Sequence, residues 1–216
     1  SEVFELTRFY NSAGFTDELT VIYLATDLIS VKAMPDGLEE SYMSVEHIPF
    51  DQISKHATTS ALWYQIYAED DLNPLNLRRA VDAGAKAVCI TVTDTAINWE
   101  SVDQIRKVVD TPLLAKGILN SNDAENAITL GLDGIVVSNH GGRNEPTARG
   151  TIESLPEVVD AVSGRALVIV DGGFRRGADM LRALALGADA VGIGRPYLWG
   201  LGAFGEAGVD AVLQML

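Results

Sequence analysis

From residue 62 onward the chain alternates between two hydrophobic patterns. Short, largely apolar runs at Leu62–Tyr67, Ala87–Val92, Leu113–Ile118, Gly134–Ser138, Leu167–Asp171 and Ala190–Gly194 read as buried parallel strands. Between them, Leu75–Ala83, Trp99–Val109, Asn122–Leu130, Thr151–Ala161 and Gly177–Leu186 read as helices. Gly84, Gly131 and Gly187 stand where helices end. The turns Leu130-Gly131-Leu132-Asp133-Gly134 and Leu186-Gly187-Ala188-Asp189-Ala190 repeat one helix-to-strand connection.

Before residue 62 the pattern is weaker. Phe4–Tyr10 reads as a short amphipathic helix stopped by Asn11–Gly14, and Pro49–Ala57 as a helix starting near its proline. Leu28–Met34 and Ser41–Val45 are strand candidates. Two weaker strands added to six βα units make eight. The expected fold is therefore α/β, a (β/α)8 TIM barrel abbreviated in its N-terminal part, with an open doubly wound sheet as the alternative. One domain is expected over residues 1–216, with an N-terminal segment at 1–28 and the barrel at 29–216. Too few residues separate Met34 from Ser41 for a parallel crossover, which needs about ten to twelve. The first unit lacks its helix, the chain is interrupted there, or that strand is wrongly assigned.

Apolar residues make up 47% of the 216 positions, enough for a sizeable core. Thirty acidic against 16 basic residues give a formal charge of −14, which argues against nucleic acid and anionic membranes as partners. A local arginine cluster can still hold an anion. The one cysteine, Cys89, lies in an apolar run and reads as a small buried hydrophobe. No internal disulfide, leader or membrane span is expected, and the cytoplasm is the expected location.

The segment Gly134–Arg143, GIVVSNHGGR, changes this picture. A buried strand there runs into polar residues, and ligands of parallel α/β folds bind past the C-terminal ends of strands. His140 can take a proton near neutral pH. Arg143 can hold a carboxylate through two parallel hydrogen bonds. Asp171-Gly172-Gly173-Phe174-Arg175 and Gly194-Arg195-Pro196 follow the next two strands, where barrels commonly bind phosphate. Lys116 ends an otherwise apolar strand, a costly place for an ammonium group without a partner or task. Gln65 and Tyr67 share one face of their strand, and Thr91 lies near the end of the next. Polar strand ends between a phosphate site and a His/Arg pair suit a planar, phosphorylated cofactor, and a flavin mononucleotide (FMN) is the most economical fit. No metal is expected.

Four stretches carry a specific resemblance: Trp63–Tyr67, Lys116–Leu119, Val137–Arg143 and Asp171–Leu201. They resemble the FMN-dependent 2-hydroxy-acid oxidases and dehydrogenases, a family that includes glycolate and lactate oxidases, lactate monooxygenase and mandelate dehydrogenase. The match is near-continuous from about residue 60 to 210, and Phe9–Thr20 is similar to the family's N-terminal segment. The resemblance implies oxidation of an L-2-hydroxy acid to the 2-oxo acid, with hydride passing to flavin N5. Electrons would then go to oxygen or another acceptor, and a homotetramer is implied. His140 would be the base, and Arg143 the carboxylate clamp. Lys116 would steady charge on the reduced flavin. Ser44, Gln65 and Thr91 would bond the ring, and Ser138 the ribityl chain. Asp171, Gly172, Gly173, Arg175, Gly194 and Arg195 would form the ribityl and phosphate end. Tyr67, with Tyr10 or Phe9, would line the substrate pocket.

The chain departs from this pattern at two points of chemistry. The family's second carboxylate-binding arginine is replaced by Thr95-Ala96-Ile97-Asn98-Trp99, and Asp94 is displaced by one position from the family's Thr-Val-Asp. A flavin- or phosphate-binding barrel that has lost oxidation is therefore the alternative function.

Overall fold

The computed structural model describes residues 3–10, 19–25, 50, 54–55, 62–67, 74–92, 97–142 and 149–216, with backbone alone at 3–10, 19–25, 67 and 74–76. Six parallel strands pair strictly in chain order: β3 (Trp63–Tyr67), β4 (Ala87–Thr91), β5 (Leu113–Ile118), β6 (Gly134–Val137), β7 (Leu167–Val170) and β8 (Ala190–Val191). A doubly wound sheet reverses its order at a switch point. No reversal occurs among the described strands, which run in order as the wall of an α/β barrel does. Helices α1 (Pro74–Asp82), α2 (Trp99–Val108), α3 (Ser121–Thr129), α4 (Thr151–Val162) and α5 (Gly177–Ala185) connect successive strands. The expected eighth strand is shorter than Ala190–Gly194, because the chain leaves the sheet at Gly192 and turns into α6 (Arg195–Met215).

Phe4–Tyr10, expected as a helix, is instead part of β1 (Val3–Tyr10), paired antiparallel with β2 (Leu19–Ala25). Val, Thr and aromatic residues favour strands, and an isolated helix of so few residues cannot overcome its nucleation cost. A non-local partner decides between the two. The strand candidates Leu28–Met34 and Ser41–Val45 lie outside the described residues. Within Pro49–Ala57, Phe50, Ser54 and Lys55 are helical as expected.

Side-chain alternation splits the sheet into two apolar layers. Val88, Ile90, Leu113, Ala115, Ile135, Val137, Val168 and Val170 meet the helices in the main core. Ala87, Cys89, Leu114 and Val136 form a smaller cluster on the other face, inside the barrel. By the same alternation Gln65, Thr91, Lys116, Ser138 and Asp171 belong to this inner face, Gln65 in mid-strand and the others at or just past the ends of theirs. Sequence parity thus delivers the polar residues to one mouth.

Burial pushes the Cys89 thiol up from an ordinary 9.0 to about 12, with Lys116 opposing the rise and Asp171 adding to it. A thiolate is the reactive form, so Cys89 is expected to resist an aromatic disulfide reagent at pH 8 until the protein unfolds. The unfolded thiol ionises near 9.0 and the folded one near 12. This group's contribution is complete below pH 9 and is lost as pH rises toward 12. Labelling rates with and without urea check the first expectation, and alkaline unfolding midpoints the second.

Strand height is fixed at the opposite end. Asp133, just before β6, accepts from Leu113 N at 2.8 Å, and its own N–H donates to Leu113 O at 2.8 Å. Asp189, just before β8, repeats the clasp on Val168, accepting at 2.8 Å and donating at 2.8 Å. Arg106 adds an ion pair to Asp133 at 2.9 Å. The repeated Gly-x-Asp turn is therefore a register lock between neighbouring strands.

Candidate active site

The site lies beyond the C-terminal ends of β5 to β8, where Lys116, His140, Asp171, Arg175 and Arg195 line one cleft of about 260 Å³. Lys116 sits opposite Thr91 on β4 and Val136 on β6. Its Nζ donates to the fully buried Ser138 Oγ at 3.2 Å and lies 3.6 Å from Asp171 Oδ2. The ammonium group is thus paired and still borders the cleft. Gln65 Nε2 donates to Thr91 Oγ1 at 2.7 Å, joining two of the expected ring contacts.

After β6 the backbone takes three consecutive left-handed residues: His140 (φ 54°), Gly141 (75°) and Gly142 (88°). This conformation is costly for histidine and free for glycine. It is held from several sides. His140 N donates to Ser138 Oγ at 3.3 Å, and Gly142 N reaches Asn139 O at 2.9 Å and Asn139 Oδ1 at 3.0 Å. Asn139 Nδ2 ties the turn to Arg149 O at 3.4 Å. One ring nitrogen of His140 lies 3.2 Å from Val92 O. A carbonyl only accepts, so that nitrogen, Nε2, is the donor in this contact. Backbone strain of this kind clusters at ligand and catalytic sites.

Gly117 makes room for this ring. Its φ is +109°, and the β5–β6 register shifts between Lys116 and Ile118. A Cβ there would stand 2.2 Å from Val92 O and 2.8 Å from His140 Nε2. The expectations drawn from sequence assigned no task to Gly117. The available signal was a glycine inside an apolar strand, which marks a bulge or a close approach.

At the other side of the cleft Gly172, Gly173, Gly192 and Gly194 leave the wall as bare backbone, and α6 begins with Arg195 and Pro196. Arg195 Nη2 donates to Gly141 O at 2.9 Å, tying the start of α6 to the histidine turn. The Arg175 guanidinium lies 4.6 Å from the centre of the Trp199 ring, another residue without an assigned task. Among the described residues that line the cleft, two guanidinium groups and an ammonium stand with one carboxylate, a cationic set inside an acidic chain. Its donors and a helix N-terminus fit a phosphate.

The structure therefore brings together Gln65 with Thr91, and Lys116, Ser138, His140, Asp171, Gly172, Gly173, Arg175, Gly194 and Arg195 around the cleft. Arg143 and Ser44 lie outside the described residues, as do the side chains of Tyr10 and Tyr67 and the displaced Asp94.

The sequence profile of the FMN-dependent dehydrogenases matches residues 92–216. Human 2-hydroxyacid oxidase 1 is 48% identical over 62% of this chain and 36% of its own. An L-lactate oxidase of Nostoc sp. is 34% identical over 76% of this chain and 60% of its own. A crystal structure of mandelate oxidase with (S)-2-phenylpropionate superposes with a TM-score of 0.71 at 38% identity, covering 78% of this chain and 59% of that one. A mandelate oxidase variant carrying a monooxide FMN adduct gives 0.70 at 39%, covering 79% of this chain and 59% of its own. The chain spans from about a third to three fifths of the length of these relatives. With the profile covering more than half of its residues, the chain belongs to the FMN-dependent dehydrogenase family.

Proposed function

We propose that the protein binds FMN and oxidises a small L-2-hydroxy acid to the 2-oxo acid. The observation that carries this reading is one cleft holding a strained histidine turn at one side and a cationic, glycine-walled corner at the other. The 2-hydroxyacid, lactate and mandelate oxidases among the relatives support it.

Gln65 and Thr91, with Ser44, hold the ring of the cofactor. Lys116 stands by its ring edge, Ser138 and Asp171 by the ribityl chain, and Gly172, Gly173, Arg175, Gly194 and Arg195 by the phosphate. FMN, when bound, supplies a two-electron acceptor for the hydride of the substrate Cα–H. His140 takes the substrate hydroxyl proton, and the Val92 carbonyl, 3.2 Å from Nε2, fixes its ring plane. Lys116 places a cation where negative charge grows during reduction, and Asp171 and Ser138 stop it swinging away. Arg143 clamps the substrate carboxylate, while Tyr67 and Tyr10 border the substrate. Oxygen or another acceptor takes the electrons onward. A cytoplasmic homotetramer completes the reading, and light scattering on purified protein tests the assembly.

Purified protein is expected to show flavin absorption near ~370 and ~450 nm, from the cofactor's own chemistry. Anaerobic addition of glycolate, L-lactate or L-mandelate should bleach the longer-wavelength band. A bound flavin that none of these acids bleaches would instead favour a binding barrel without oxidase activity.

A further inference from the structure

We infer that Trp199 is a positioning residue that holds the Arg175 guanidinium in place for the cofactor phosphate without cancelling its charge. The inference rests on the FMN reading, and concerns how the chain tells a phosphorylated flavin from an unphosphorylated one.

Trp199 lies four residues after Arg195, so both fall on the same face of the first turns of α6. Arg195 lines the cleft at the helix start. Arg175 comes from the loop after β7 and places its guanidinium carbon 4.6 Å from the Trp199 ring centre, well within cation–π range. Its Nη1 donates to Phe174 O at 3.2 Å. Among the described residues it has no carboxylate partner. The acid four residues on, Asp179, is already engaged: Oδ1 accepts from Arg182 at 3.0 Å and Oδ2 from Arg175 N at 3.4 Å.

This arrangement answers a specific difficulty. A chain of charge −14 offers many carboxylates that can hold an arginine still. Each would also neutralise it and compete with a phosphate. An aromatic face attracts the guanidinium through its quadrupole and leaves the net charge and the in-plane N–H donors available. Trp199 is half exposed, 46%. It contributes little to the buried core, and stacking on Arg175 is the contact that accounts for its place.

Dissociation constants for FMN and riboflavin, from flavin-fluorescence titration, test this. Riboflavin lacks only the phosphate, so a change confined to FMN isolates the corner. Trp199→Leu is expected to weaken FMN about 5- to 30-fold, the range of a partly desolvated cation–π contact, and to leave riboflavin within about twofold. Trp199→Phe should restore most of the loss. In an Arg175→Gln background, Trp199→Leu should add nothing further to the FMN-to-riboflavin ratio. Arg175→Lys leaves Trp199 in place and keeps the charge but removes the flat stacking surface. It should lose a similar factor, which keeps the inference testable if Trp199→Leu fails to fold. Equal weakening of both flavins, or full FMN affinity in Arg175→Lys, overturns the inference while the functional reading stands. A parent protein that binds neither flavin overturns the functional reading, and the inference with it.

Discussion

Replacing His140 with asparagine should lower the rate of flavin reduction by a 2-hydroxy acid about 10²- to 10⁴-fold, the usual worth of a positioned general base. Asparagine suits the test on two counts. It tolerates left-handed backbone better than most residues, so the turn at φ 54° is kept. It has no nitrogen basic enough to take the hydroxyl proton. The change therefore removes the base and keeps the turn. Stopped-flow absorbance under nitrogen reads the rate, and the flavin spectrum before mixing reports whether FMN is retained. Reduction at nearly the parental rate with FMN in place would remove His140 from the role of base.

Gly117→Ala is expected to destabilise the protein by about 3 kcal/mol and to slow flavin reduction as well. The energy has two sources, each of order 1–3 kcal/mol. One is a left-handed φ of +109°, which alanine adopts only with strain. The other is collision, because the added Cβ would stand 2.2 Å from the Val92 carbonyl oxygen. Backbone just past β4 must move to relieve it, and the same carbonyl contacts His140. Gly131→Ala separates the two sources. Gly131 has φ +73° and nothing within 4 Å of the added Cβ, so only the strain applies, about 1 kcal/mol. Urea midpoints of the two variants measure the difference. If both lose the same stability, and Gly117→Ala reduces its flavin normally, the close packing of Gly117 on the histidine has no consequence.

The barrel wall was legible in the sequence because its signals are local. Ile135, Val136 and Val137 are buried on both faces of a parallel strand, so they read as one apolar run. Gly131 and Gly187 end helices in the left-handed region that favours glycine. Phe4–Tyr10 read wrongly because its partner, Leu19–Ala25, lies beyond a connecting segment, and pairing outweighs local periodicity. The long helix α6 was not foreseen. Gly200, Gly202, Gly205 and Gly208 obscure its period, and the helix is broken at Phe204 and Gly205.

Site chemistry was legible where a polar residue interrupts an apolar pattern. Lys116 at the end of β5 and His140 after β6 are such interruptions. Residues that act by shape gave no such signal. Gly117 matters because Val92 and His140 approach it, and Trp199 because Arg175 reaches it from a different βα unit. Neither neighbour can be found by spacing along the chain.

The aspartate clasps separate two kinds of inheritance. Leu113, which Asp133 holds, lies three residues from Lys116 along β5, roughly 10 Å at the rise of a strand. A slip of one residue would turn the ammonium group from the barrel mouth toward the helices. The alignment of the cleft side chains is therefore governed by carboxylates at the opposite end of the strands. Loops at the mouth can vary in sequence while the clasps hold the strands at the same height.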